Sequence, residues 1–369
     1  MTPPLPSALK QFDIVSIVTI ITILCISVFT IQSTISAQSS QSSVLQQNLI
    51  NIQLLSIFVG FLLYFIISSV NYYYLQYFAL PLYIISLLIL ILVLFIGGST
   101  RGSSRWIDLG PINFQPSSLG MITSVLLMAT FLNTIKTKIN QILYFIINLG
   151  LFAIPAILIF IEPDLGSAMV LVLIWFVSLH ITPIKLKYIF ILYLVGILSI
   201  PIAWSQLHDY QKERIYTFIN PSHDPTGAGY NVIQSIIAVG SGEVSGRGWG
   251  EGTQSHLQYL PEQHTDFVFA TFAEEQGFIG VIILILLYLI LIFRMVQILW
   301  KCNDYYTQLI VVGIITWFLS HVVINIGMNI GLLPITGIPL PLMSYGGSAI
   351  VTTLVSLGII QSIYRHNYK

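Results

Sequence analysis

The chain has 369 residues, of which 56% are apolar and only 8% charged, and its mean hydropathy is +0.87. A composition this apolar excludes a soluble globule and describes a polytopic membrane protein. Fourteen basic residues balance fourteen acidic ones, so no basic excess points to nucleic acid as a partner.

The first apolar run, from about Phe12 to Ile31, approaches the ~20 residues that span hydrocarbon. It is too long for the core of a secretion signal and reads as a membrane helix. Further runs follow at about 49–70, 77–96, 116–133, 142–161, 165–182, 186–206, 266–293, 306–333 and 343–364. The expectation is an all-α membrane protein of about ten spans, forming one membrane domain over residues 1–369. Its only long polar connection, at about 207–265, lies between the seventh and eighth spans.

Ten spans put both termini on one side, and lysine and arginine choose the side. With the termini in the cytoplasm, Lys10, Lys136, Lys138, Lys185, Lys187, Arg294, Lys301, Arg365 and Lys369 lie inside. Arg101, Arg105, Lys212, Arg214 and Arg247 lie outside, with nearly all the carboxylates. The 207–265 connection is therefore expected to be extracytoplasmic. Tyr72, Tyr73 and Tyr74 fit an aromatic belt at the inner interface. Cys25 and Cys302, one in an apolar run and one in a short loop, suggest neither a disulfide framework nor a metal site.

Four polar constellations interrupt the apolar pattern. Arg105-Trp106-Ile107-Asp108 with Gln115-Pro116-Ser117 reads either as an interfacial loop that starts a helix or as a cavity wall carrying a fixed arginine. Asp164, in the tight turn Glu162-Pro163-Asp164, suits a helix cap. Lys212 and Arg214 precede a glycine-rich run from Gly240 to Gly252, which reads either as a solvated turn or as a seat for a diphosphate. Asp266 closes the sequence Leu260-Pro261-Glu262-Gln263-His264-Thr265 directly before an apolar run, where a carboxylate caps a helix and meets its positive dipole end. His321, Asn325 and Asn329, four apart, share one helix face, and polar groups in a span point into the bundle. They serve either a cavity opposite Asp266 or bonds between helices. Glu274 and Glu275 follow two turns after Asp266 and fit the projecting outer turns of a long helix.

Taken in order, Arg105-Trp106-Ile107-Asp108-Leu109-Gly110, Phe114-Gln115-Pro116-Ser117, Pro163-Asp164-Leu165-Gly166, Gly227-Ala228-Gly229-Tyr230, Pro261-Glu262-Gln263-His264-Thr265-Asp266-Phe267 and Pro339-Leu340-Pro341-Leu342-Met343-Ser344-Tyr345-Gly346-Gly347-Ser348 resemble the SEDS family of shape, elongation, division and sporulation proteins. The resemblance spans nearly the whole chain. The stretch from Met328 to Gly337 is more similar to the elongation branch, the RodA type, than to the division branch, the FtsW type.

The resemblance implies a peptidoglycan glycosyltransferase that polymerises lipid II at the outer face of the bacterial plasma membrane. It also implies a class B penicillin-binding protein as partner, alongside other membrane proteins of the elongation complex. The family's essential aspartate falls on Asp266, as general base. Substrate contacts are then expected from Arg105, Gln115, Ser117, Asp164, Lys212, Arg214, His264, Thr265, Glu274, Asn325, Asn329 and Ser344. No cofactor and no metal ligands are identified, and a divalent cation is left open. The chain departs from the family at Ser118 and Met121, where the pattern carries a glutamate and, three residues on, a lysine. Two other readings follow: a lipid II flippase or transporter, and a catalytically weakened scaffold of the elongation machinery.

Overall fold

The structure, a computed structural model, describes residues 12–36, 43–96, 106–108, 113–135, 141–182, 185–207, 209–221, 227–256, 259–260 and 262–367. Ten long helices coincide with the ten apolar runs. They are α1 (Ile14–Ser36), α2 (Ser43–Ser69), α3 (Leu75–Ile96), α4 (Pro116–Ile135), α5 (Gln141–Ile161), α6 (Leu165–Leu179), α7 (Leu186–Gln206), α11 (Val268–Lys301), α12 (Tyr305–Asn329) and α13 (Gly347–Asn367). Among the described residues seven of these are long and apolar enough to cross a membrane, while α5, α6 and α7 contribute shorter apolar stretches. The long connection is itself largely helical, with α8 (Asp209–Ile219), α9 (Ala228–Ser241) and α10 (Thr253–His256). Between α3 and α4, a two-residue hairpin pairs Ile107 with Phe114 and Asp108 with Asn113.

Burial sorts the helices into a centre and a rim. The most apolar stretches of α4, α12 and α13 are 72%, 72% and 78% buried, whereas those of α2 and α11 are 22% buried. The rim helices leave Phe58, Leu62, Phe78, Leu88, Ile279 and Leu286 exposed, as expected of surfaces that meet hydrocarbon. At the centre α4 packs on α12 and α13 on α2, with Met128, Leu132, Phe318 and Ile350 fully enclosed. A Cβ on Gly358 would come within 3.1 Å of the Tyr64 backbone. Such small residues let helices approach closely where lipid gives them no hydrophobic reason to associate. Two buried hydroxyls fold back on their own helix: Thr316 donates to the Val312 carbonyl and Ser356 to that of Thr352, each at 2.8 Å. Their burial therefore leaves no orphan donor.

Helix α11 has 34 residues and runs ~50 Å at 1.5 Å per residue, well beyond a ~30 Å core. It is broken at Gly277, with φ 64° and ψ −166°. The break frees backbone groups on both sides, and the glycine-rich loop supplies their partners. Arg247 N–H donates to the Glu274 carbonyl at 3.0 Å and Gly248 N–H to that of Glu275 at 3.1 Å. Phe278 and Ile279 N–H donate to the Glu243 and Val244 carbonyls at 2.9 and 3.2 Å. The approach requires bare backbone, because a Cβ on Gly246 would meet the Glu275 carbonyl oxygen at 2.1 Å. The run from Gly240 to Gly252, for which a diphosphate seat was one reading, is thus a splint for α11.

At the other end of α11, Arg294 holds Asp13 through two hydrogen bonds of 2.9 and 2.8 Å, joining it to α1. The ninth run ends as helix at Asn329, earlier than expected, and the tenth begins only at Gly347. The intervening 330–346 segment is irregular, yet Ile338, Leu340, Leu342 and Met343 are buried in it.

Gly277→Ala is expected to destabilise the protein by more than the ~1–3 kcal/mol of the backbone conformation alone, because its Cβ would also meet Gly246 N at 2.2 Å. Thermal unfolding of the purified protein in detergent measures it, and an unchanged melting temperature would contradict the splint.

Candidate active site

The site is built around a turn at 262–267 that enters α11. Three successive carbonyls of this turn accept hydrogen bonds from other parts of the chain. Tyr345 N–H donates to the His264 carbonyl at 2.7 Å and the Ser344 hydroxyl to that of Thr265 at 2.6 Å. The Asp266 carbonyl accepts from the side-chain amides of Asn325 and Asn329, at 3.2 and 3.0 Å. The Asn325 amide also donates to the Ile338 carbonyl at 2.8 Å. Asn329 uses its amide oxygen as well, accepting from Ala270 N–H at 3.3 Å and from the Ser235 hydroxyl on α9 at 3.2 Å. Within this turn, the Thr265 hydroxyl donates to the Glu262 carboxylate at 3.2 Å. The His264 ring meets Tyr345 edge-on at 5.4 Å. Burial raises the Tyr345 phenol above its ordinary pKa and keeps it a neutral neighbour of the turn.

Asp266 is half-buried, and its carboxylate faces Gly337, lying 3.6 Å from where a Cβ on that glycine would stand. Helix α11 starts at Val268, and Phe267 rather than Asp266 stands at its N-cap position, without a side-chain cap bond. Asp266 is held through its own carbonyl by Asn325 and Asn329.

A second polar group lies at the start of α6. Asp164 caps this helix by accepting from Ser167 N–H at 3.1 Å. Its other oxygen accepts from the Gln115 amide at 3.0 Å and from the Ser117 hydroxyl at 3.5 Å. Gln115 N–H in turn donates to the Ser348 hydroxyl at 3.2 Å. Gly166 joins the two groups, because a Cβ there would sit 3.0 Å from Ile338 and 3.1 Å from Thr336, in the segment that passes Asp266. Gln115, Ser117 and Asp164 are thus linked, through Gly166 and the 336–338 segment, to the turn that carries His264, Thr265 and Asp266 and to its partners Asn325, Asn329 and Ser344.

Other expected residues stand elsewhere. Glu274 is buried and accepts from Gln254 N–H at 2.8 Å and the Thr253 hydroxyl at 3.3 Å, holding α10. Its neighbour Glu275 is buried too and accepts from the Ser33 hydroxyl on α1 and from Gly250 N–H. Neither glutamate projects from an outer turn as the sequence suggested; both are enclosed by protein. Lys212 and Arg214 lie on α8, with Arg214 half-buried. Arg105 lies outside the described residues. Ser118 and Met121 are buried on α4, and Met121 lines a small apolar void with Val125, Ile314 and Trp317. Sequence reasoning missed Ser235, Thr336 and Gly337, none of which stands out from its neighbours by type. Among the described residues no group of three His, Cys, Asp or Glu side chains gathers to hold a metal ion.

This is the architecture of a polytopic membrane protein that fixes one half-buried aspartate on a clamped turn between two spans. A sequence model of the FtsW/RodA/SpoVE family, described as cell cycle proteins, matches residues 14–369, and the chain belongs to that family. It is 40% identical over 293 residues to the peptidoglycan glycosyltransferase MrdB of Escherichia coli, covering 77% of each chain. It is 35% identical over 318 residues to the stage V sporulation protein E of Bacillus subtilis, covering 85% of this chain and 86% of that one. Its fold is similar to a chain of a solved peptidoglycan synthase complex that coordinates polymerization and crosslinking, with a TM-score of 0.79 at 28% identity over 97% of this chain and 99% of that one. The rod shape determining protein RodA of Thermus thermophilus is similar as well, with a TM-score of 0.71 at 27% identity over 97% of this chain and 98% of that one.

Replacing Asn329 by alanine removes a donor to the Asp266 carbonyl and the acceptor of Ala270 N–H. The Asp266 carbonyl keeps its Asn325 donor at 3.2 Å, whereas the Ala270 N–H loses this acceptor, and a buried group so orphaned costs about 1–3 kcal/mol. Asn329→Ala should lower the melting temperature in detergent, more than Thr265→Ala, whose hydroxyl bonds within the turn.

Proposed function

We infer that the chain is a peptidoglycan glycosyltransferase that polymerises lipid II during cell elongation and rod-shape maintenance, with Asp266 as its general base. One observation supports the site assignment: the Asp266 carboxylate lies against Gly337, in the segment that also packs on Gly166 beside Asp164, while the Asp266 carbonyl is held by Asn325 and Asn329 of α12.

In the reaction a sugar hydroxyl of the acceptor attacks the anomeric carbon of the donor. The new glycosidic C–O bond forms as the bond from the anomeric carbon to the lipid diphosphate breaks. The hydroxyl proton passes to the Asp266 carboxylate, and the diphosphate departs with the bonding pair. A positioned carboxylate within hydrogen-bond reach of the hydroxyl takes its proton as the new bond forms. Lys212, Arg214 and Arg105 are the cations we assign to the negative charge that grows on the leaving diphosphate. Asn325, Asn329 and Ser344, counted as substrate contacts from the sequence, we reassign to positioning the turn, because their donors already serve its backbone. Gln115, Ser117 and Asp164 form the facing wall of the substrate cavity. Glu274 holds the loop that splints α11.

The charge asymmetry supports placing the turn and the 207–265 connection on the outer side of the bacterial plasma membrane. A class B penicillin-binding protein is the partner this reading calls for, in keeping with the polymerization and crosslinking that the similar synthase complex coordinates. The missing Glu/Lys pair is compatible with activity. Met121 is 1% exposed in an apolar layer, so a chain lacking both charges buries neither one unpaired.

Asp266→Asn should fold and insert like the parent while losing about 10²–10⁴ in polymerisation rate. Glycan chains resolved on a gel from lipid II, with the cognate transpeptidase present, provide the measurement; wild-type synthesis by the folded variant would remove Asp266 from catalysis. For topology, Glu213 is exposed on the polar helix α8 of the 207–265 connection. Glu213→Cys should react with a membrane-impermeant thiol reagent on intact spheroplasts, and labelling only after lysis would reverse the orientation.

A further inference from the structure

Two polar atoms beside the Asp266 turn are buried without a hydrogen-bond partner: the Thr336 hydroxyl and the Gln263 side-chain oxygen. Native interiors rarely leave such atoms unmatched, and each one weakens the fold that carries it. Both belong to rigid backbone. Gln263 is 4% exposed, stands three residues before Asp266, and has its main-chain carbonyl engaged by the Thr271 hydroxyl at 3.4 Å. Thr336 is held on both sides. Ile335 before it packs against the cluster of Leu260, Phe267 and Ala270, and Gly337 after it faces the Asp266 carboxylate. The Thr336 Cβ lies 3.1 Å from where a Cβ on Gly166 would stand, so the segment facing Asp266 packs through this residue against the start of α6.

We propose that the Thr336 hydroxyl and the Gln263 side-chain amide bind the sugar whose hydroxyl attacks. The Gln263 oxygen accepts from a sugar O–H or acetamido N–H, and the Thr336 hydroxyl pairs with a neighbouring sugar oxygen. Two such bonds beside the base select one hydroxyl of a polyol for deprotonation, which distance to the base alone does not do. The inference rests on Asp266 being that base. It also accounts for why the orphan atoms are kept: the substrate completes them.

The test uses the full-length protein purified with its transpeptidase, titrated with lipid II, for Thr336→Val, Thr336→Ser, Gln263→Met and Asp266→Asn in parallel. Thr336→Val and Gln263→Met each delete an unmatched polar atom at nearly constant shape, so both should melt at or above the wild-type temperature. Each should nevertheless lose about three- to tenfold in kcat/KM, carried mainly by KM, the share of one hydrogen bond to substrate. Thr336→Ser should retain the wild-type value. If the two variants keep wild-type kcat/KM while Asp266→Asn is inactive, the acceptor site is overturned and the base stands. A fall in melting temperature for Thr336→Val would make the hydroxyl structural and also overturn it. Polymerisation by Asp266→Asn would overturn both readings together.

Discussion

In hydrocarbon no water stands ready to satisfy a backbone N–H or C=O, so irregular chain survives at membrane depth only where other parts of the protein bond to it. Two irregular places in the described structure meet this condition with dedicated partners. At Gly277 the loop backbone from Glu243 to Gly248 bonds the groups released by the break in α11. At 264–266 three successive carbonyls receive Tyr345 N–H, the Ser344 hydroxyl and the amides of Asn325 and Asn329. The aspartate is placed by these bonds, made by its neighbours' carbonyls and its own.

The same logic separates residues that hold the site from residues free to act. An asparagine amide donating to a carbonyl at 3.0 Å has little left for a sugar, and a serine hydroxyl that donates at 2.6 Å while accepting from Leu340 N–H at 2.8 Å has less. Catalysis by a positioned base needs a geometry that does not drift, and α12 supplies it because its Asn325 and Asn329 are four residues apart on one face. Asn329 further connects α9 and α11 to that face, so the long connection and the turn move as one unit.

Much of this was legible in the sequence. Apolar run length located the long helices, seven of which among the described residues are long and apolar enough to cross a membrane, and the Asn325 and Asn329 spacing gave a polar face directed inward. Asp164 as a cap followed from its place between proline and an apolar run. What stayed hidden depended on contacts between distant segments. Nothing in the run of glycines from Gly240 to Gly252 states that it lies against a helix break more than twenty residues later, and a loop with two nearby cations looks equally like an anion seat. Asp266 reads as a helix cap by residue type, whereas the helix begins at Val268 because the preceding turn is fixed by α12 and the 338–346 segment. Thr336 is an ordinary residue in an irregular stretch until the fold packs it on Gly166 and sets its neighbour Gly337 against the Asp266 carboxylate.

The central claim is that a clamped turn delivers the Asp266 carboxylate to an acceptor hydroxyl. The most direct test is an experimental structure of the protein with an unreactive lipid-linked donor and a saccharide acceptor bound together. The account predicts one acceptor hydroxyl within about 2.6–3.2 Å of an Asp266 oxygen, and on the side of the donor carbon opposite the diphosphate or in line to reach it. A complex in which both sugars are ordered and Asp266 contacts only protein would contradict it.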